Sequence, residues 1–265
     1  MPTLLFKLVG PMQSWGSRSR FDLRDTEQFP TKSGVLGLVA AALGRDREEP
    51  VDDLAELRFG VRVDREGIIR YDFQTALHVR KAGINKKTGN FIIYALNSEE
   101  KSKLSKYLKS WLNIKDISIQ IDPKNRTTTS KRYYLSDAAF LAGLEGDEML
   151  LKAIESALKN PKWPLFLGRK GYPPGEPVHF AEGGITNESL EAALARKEPI
   201  APPRNPDEAS VRYAIELAPG CEPGFPWLVH EIWDQPTAPF SERRFGARRV
   251  GVASFERGEV PKPCT

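Results

Sequence analysis

TLLFKLV, Thr3 to Val9, is seven residues long, almost wholly apolar, and followed by Gly10-Pro11. A run this short and this apolar reads as a buried strand that Gly-Pro brings to an end. After a polar connection comes PTKSGVLGLVAAALG, Pro30 to Gly44. Its spacing predicts a helix over Ser33 to Leu43, with Val35, Leu36, Leu38, Val39, Ala42 and Leu43 apolar and Gly44 at the C′ position. Gly37, Ala40, Ala41 and Ala42 keep that helix thin enough to lie close to a sheet or a partner. The first elements are thus a strand and then a helix, and the later segments complete the pattern. Phe59 to Val63 and Ile68 to Phe73 read as strands turning at Glu66-Gly67. Leu135 to Gly146 reads as a strand. A helix capped by Asp147 runs on to about Lys159, with Met149, Leu150, Ile154 and Leu158 apolar. PLFLGRKGYPP, Pro164 to Pro174, reads as a short strand running into a basic glycine turn. The order is β-α-β-β-α-β, that of an α+β, ferredoxin-like or RRM-like core. Beyond it, Thr186 to Lys197 predicts a short helix and Pro199 to Pro206 a surface loop. Val211 to Leu217, Leu228 to Trp233 and Arg248 to Phe255 predict strands.

An excursion interrupts this core. From Val79 to Tyr134 there are 13 Lys/Arg and 4 Asp/Glu, a net of +9, which leaves 26 basic and 31 acidic residues, a net of −5, elsewhere. A strongly basic segment on a mildly acidic body is the electrostatic footprint of a nucleic-acid contact. Within it, FIIYAL is a strand candidate and DISIQI (Asp116 to Ile121) alternates like one. Between them lies a helix with Asn97 as N-cap, Glu100 three residues on, and Leu104, Leu108, Trp111 and Leu112 on one face. The chain is therefore divided into a core, 1-78 and 135-265, and a basic insertion, 79-134.

Several chemistries are excluded. Gly10 and Gly16 have the wrong spacing for a phosphate-binding P-loop, and Ser17 stands where that loop needs lysine. There is no dinucleotide fingerprint in this turn and no G-x-S-x-G elbow. Cys221 and Cys264 lie far apart outside any CxxC motif, and His78, His179 and His230 are scattered, which disfavours a zinc site or a disulfide framework. No metal and no cofactor is expected. No apolar run reaches the roughly 18 residues of a membrane span. MPTLLFKLVG reads as a strand rather than a signal peptide, so a cytoplasmic protein without membrane contact is expected. A metal-independent ribonuclease needs only a base, an acid and a cation, which His78, Lys81, Lys131, Tyr133 and Tyr134 would have to supply. The residues offer more for binding: Lys and Arg for phosphates, Trp15, Phe91, Tyr133 and Tyr134 for stacking on unpaired bases.

GPMQSWG (Gly10 to Gly16) followed by FPTKSGVLGLVAAALG resembles the N-terminal signature of the CRISPR-associated Cas-five family of type I-E Cascade systems. KRYYLSDAAFLAGLEG and LFLGRKGYPP extend the resemblance in the family's order over about residues 3 to 175. The resemblance implies a RAMP-type ferredoxin-like core with a thumb, here the basic insertion. It also implies a non-catalytic subunit of an antiviral surveillance complex. That subunit caps the Cascade backbone, holds the 5′ handle of the crRNA, touches the backbone and large subunits, and works near target DNA. An endoribonuclease processing precursor crRNA is the alternative. Carried over by position, Gly10, Pro11, Gln13, Ser14, Trp15 and Gly16 would close around handle nucleotides, Trp15 either stacking on a base or, the favoured reading, pinning the loop to the core. Lys32, Ser33 and Gly34 would meet a phosphate at a helix N-terminus. Arg80, Lys81, Lys86, Lys87, Arg126, Lys131, Arg132 and Tyr133 would lie on the thumb, and Arg169 and Lys170 on a second basic turn. The stretch from about Ile84 to Asn125 is longer than a simple thumb hairpin.

Overall fold

The computed structural model describes residues 1–17, 23–76, 82–84, 91–95, 97–110, 117–121, 128–207 and 209–263. The elements are β1 (Thr3–Gln13), β2 (Leu23–Arg24), α1 (Lys32–Leu43), α2 (Asp52–Ala55), β3 (Arg58–Arg65), β4 (Ile68–Ala76), β5 (Ala82–Ile84), β6 (Phe91–Ala95), α3 (Ser98–Ser110), β7 (Ile117–Ile121), β8 (Thr128–Glu145), α4 (Glu148–Lys159), β9 (Ile185–Thr186), α5 (Leu190–Arg196), β10 (Ser210–Glu216), β11 (Leu228–Pro236) and β12 (Phe245–Glu256). The chain divides into two compact units. One is Met1–Asp72 with Arg132–Thr265, the other Phe73–Lys131.

The larger unit is a mixed α/β structure on one large sheet. The strand order is β11-β12-β10-β3-β8-β1-β9, with β2 and β4 also paired to β8. β1 runs antiparallel to β8 from Thr3↔Glu145 to Gln13↔Leu135, and β8 in turn is antiparallel to β3. The continuous apolar run of β1 has a direct cause: both of its faces are covered. Leu4, Phe6 and Leu8 join the core under α1 and α4, with Val35, Leu36, Val39, Leu151 and Ile154. Leu5, on the opposite face, joins Leu190, Leu194, Tyr213 and Trp227. With side chains alternating sides, a strand buried on both faces has no polar phase.

Four expectations about the elements need correction. β1 does not stop at Gly10-Pro11. Its ladder skips Pro11, which has no N–H to give, and resumes at Met12↔Ser136 and Gln13↔Leu135. Residues 164–174 form no strand; the place beside β1 is taken by β9, with Thr3↔Thr186 and Leu4↔Ile185. Thr186 is held in that pairing, so the helix expected from there starts only at Leu190, where Ser189 caps it. In α4 the buried positions are Leu151, Ile154 and Leu158, and Met149 is exposed. Other details match. Leu150 N–H donates to Asp147 Oδ1 at 2.8 Å, and Gly44 ends α1 in the left-handed conformation. Cys221 is disulfide-bonded, against the expectation from cysteine spacing; the other cysteine, Cys264, lies outside the described residues.

In the smaller unit β5 pairs antiparallel with β6, and β6 pairs parallel with β7 through the crossover helix α3. Ile92, Ala95, Leu104 and Leu108 are buried there. Asn97 caps α3, its Oδ1 accepting from Glu100 N–H at 2.8 Å. Among the described residues no helix is long and apolar enough to cross a membrane, and no group of three or more His, Cys, Asp or Glu is placed to hold a metal.

Candidate functional site

GPMQSWG is built largely inward. Gly10 to Gln13 are the last residues of β1. The Gln13 side chain is fully buried. Its Nε2 donates to Leu8 O and Ala138 O, each at 2.9 Å, and its Oε1 accepts from Trp15 Nε1 at 3.1 Å. Ser14 Oγ donates to Tyr133 O at 3.0 Å. Trp15 is 1% exposed and lies against α1, where a Cβ on Gly34 would come within 2.8 Å of its ring. The expectation that the Gln13 and Ser14 side chains reach out to nucleotides is corrected by these bonds, and Trp15 pins the loop to the core. A buried amide must be satisfied, and here the chain itself satisfies it. Of the seven residues only Pro11 and Gly16 are exposed.

The second signature segment packs onto the first. Ser14 N–H donates to Leu167 O at 3.1 Å, and Gly175 N–H donates to Val9 O at 2.9 Å. Between these bonds Gly168 adopts φ +87 directly against the Ser14 carbonyl, where a Cβ would overlap the oxygen. Arg169 is half-buried and donates to Arg24 O and Asp25 O at 3.2 and 3.4 Å, clipping β2 and the residue after it. Arg169 therefore acts within the chain, whereas Lys170 is exposed.

The α1 N-terminus is also occupied from within. Thr31 makes no side-chain cap. Instead Lys32 N–H donates to Asp234 Oδ2 at 2.6 Å, and Asp234 also takes two bonds from Arg248, at 2.6 and 2.9 Å. The Lys32 side chain, 1% exposed, donates to Ala55 O at 2.8 Å and pairs with Glu216 at 3.0 Å. Glu216 accepts from Phe59 N–H as well. The helix dipole is thus met by a carboxylate of the same chain, and Lys32 is a core residue rather than a phosphate ligand. Burial pushes the Lys32 ammonium below the usual lysine value, and Glu216 opposes that shift. Between the lowered value and 10.5 the unfolded chain binds more protons than the native one, so this group makes stability rise with pH in that window. Melting curves taken as the pH is raised toward 10.5 should show that upward contribution in the parent and lack it in Lys32→Met.

Ser33, Gly34 and Lys170 do come together. They line a groove of about 720 Å³ along α1, with Gly37, Arg47, Trp163, Phe166 and Phe245. Arg47, Trp163, Phe166 and Phe245 were missed in sequence, because nothing local marks Trp163 or Phe245 as facing α1. Lys131 is exposed, and Arg132 and Tyr133 are half-buried. The Tyr133 ring lies 5.8 Å from that of Tyr71, and Tyr134 lies 6.0 Å from Tyr172. Arg80, Lys81, Lys86, Lys87, Arg126 and His78 lie outside the described residues.

A family model of the CRISPR-associated protein family (Cas_Cas5) matches residues 3–251. The Cascade subunit CasD of Escherichia coli strain K12 is 28% identical over 203 residues, covering 74% of this chain and 77% of that one. A crystal structure of a Cas protein is 39% identical with a TM-score of 0.64, over 98% of both chains. A chain from a CRISPR RNA-guided surveillance complex is 28% identical with a TM-score of 0.66, covering 96% of this chain and 90% of that one. With the family model reaching from the first strand into the last, the chain belongs to the CRISPR-associated Cas5 family.

Proposed function

We propose that the chain is a non-catalytic, cytoplasmic, crRNA-binding subunit of a type I-E Cascade surveillance complex. It holds the 5′ handle at one end of the backbone, against the backbone and large subunits and near the target DNA. The observation that carries this reading is the likeness to the Cascade subunit CasD within a family match over residues 3–251. The strand order β3-β8-β1-β9, with α1 and α4 in the connections, supports a ferredoxin-like RAMP core. The separate unit Phe73–Lys131 and the +9 charge of residues 79–134 support a basic thumb.

In this reading Arg80, Lys81, Lys86, Lys87, Arg126, Lys131 and Arg132 grip phosphates, and Tyr133 offers a ring to a base. GPMQSWG contributes its exposed backbone at Gly16, while its buried side chains fix the shape of the clasp. Reversing charge at Lys86, Lys87, Lys131 and Arg132 together is expected to weaken binding of handle-containing RNA at least tenfold. It should also flatten the salt dependence, by roughly 0.7 in slope for each phosphate no longer neutralised. Unchanged affinity and slope would mean that neighbouring subunits hold the RNA. Purified chain incubated with repeat RNA in the absence of metal is expected to leave it intact; sequence-specific cleavage would establish the endoribonuclease alternative.

A further inference from the structure

Among the described residues, nothing packs so closely on Gly37 that a glycine is required there. It sits in the middle of α1, where glycine costs about 1 kcal/mol relative to alanine. A Cβ there would meet no atom within 4 Å. Gly34, one turn earlier, differs: it clears the Trp15 ring. The space over Gly37 belongs to the groove along α1, whose walls are Trp163, Phe166 and Phe245. Trp163 is 38% exposed, a large apolar surface for a residue with aromatic neighbours on hand. The charged residues at the groove are all cations. Arg45 is already paired with Asp53, but Arg47 and Lys170 are exposed, and among the described residues no carboxylate lines the groove.

We infer that this groove receives an amphipathic helix of a protein partner, with its apolar side on Gly37 and Trp163 and its acidic residues toward Arg47 and Lys170. The inference rests on the reading of the chain as a subunit of a larger complex. One property favours a protein helix over RNA. The lining is mainly apolar, and its missing Cβ lets a partner helix approach closely, as helices pack best over small residues. Charge complementarity then selects an acidic partner and excludes a basic one.

The test uses the chain co-expressed with crRNA and the other subunits of its own system. A benzophenone amino acid at position 163 is photolysed in the assembled complex and the adduct is sequenced. The expected adduct is a protein segment with apolar residues at three- and four-residue spacing and Asp or Glu beside them. An RNA adduct, or none in an intact complex, overturns the inference. Gly37→Leu is the second arm, since its Cβ meets no atom within 4 Å, its side chain takes up groove space, and leucine improves helix propensity. It should melt no lower than the parent and keep its RNA, yet retain the crosslinked subunit at least tenfold less well; normal retention overturns the inference. Lys170→Glu with Arg47→Glu should reduce retention in the same direction. Failure of the functional reading looks different: the unaltered chain would then join neither RNA nor subunits.

Discussion

Asp234→Ala is expected to lower stability by about 3–5 kcal/mol, the cost of removing one partner from a buried ionic group. For a chain of this size that is a fall in melting temperature on the order of 10 °C. Asp234 is fully buried, and three donors converge on it: both nitrogens of the Arg248 fork and the Lys32 backbone N–H. Alanine leaves the Arg248 guanidinium, itself 7% exposed, with the more distant Glu216 carboxylate at 3.7 Å and the face of the Phe59 ring. It also leaves the α1 N-terminus without an acceptor, since Thr31 provides none. Asp234→Asn keeps an acceptor for Lys32 but not the countercharge, and should fall between alanine and parent. Thermal melts of the three proteins check this, and an alanine variant melting within about 1 °C of the parent would show that the network does not hold α1 to β11.

Gly168→Ala should be nearly as damaging, through geometry rather than charge. The left-handed conformation costs an L-residue about 1–2 kcal/mol. The new Cβ would also overlap the Ser14 carbonyl, and relieving such overpacking adds about 1–3 kcal/mol. Relief requires the 164–175 segment to move away from GPMQSWG, breaking the Ser14 to Leu167 bond. Gly171→Ala is the matched control. It lies in the same turn with nothing within 4 Å of its Cβ, so its effect should stay within about 0.5 kcal/mol. Equal melting of both variants would mean that the two signature segments are not locked together at Gly168.

Elements whose instructions are local were legible in the sequence. Asp147 and Asn97 cap helices that begin where expected, and Gly44 ends one. The errors have a common physical form: a polar residue whose partner lies far along the chain. Gln13 and Ser14 look like surface chemistry until Ala138 and Tyr133 are brought alongside by the β1–β8 ladder. Lys32 at a helix start suggests an external anion, but the anion is Asp234, contributed by β11. Pro11 suggests a strand end, yet a ladder can skip one position and continue. The blocks that mark the family in sequence are thus also those that touch in space.

The pairing of β1 with β8 also sets an order of events at the ribosome. Gln13 pairs with Leu135 and Thr3 with Glu145, so the first strand has no neighbour until well over a hundred further residues have been made. At about 5–20 residues per second, TLLFKLV waits on the order of ten seconds without a strand partner. The pairs inside Phe73–Lys131 are local by comparison, Ala82 with Ile93 and Phe91 with Ile117, and close at much smaller entropic cost. The inserted unit is therefore expected to fold during that wait, so that nascent chains stalled after about residue 131 carry a formed insertion and an exposed, aggregation-prone first strand.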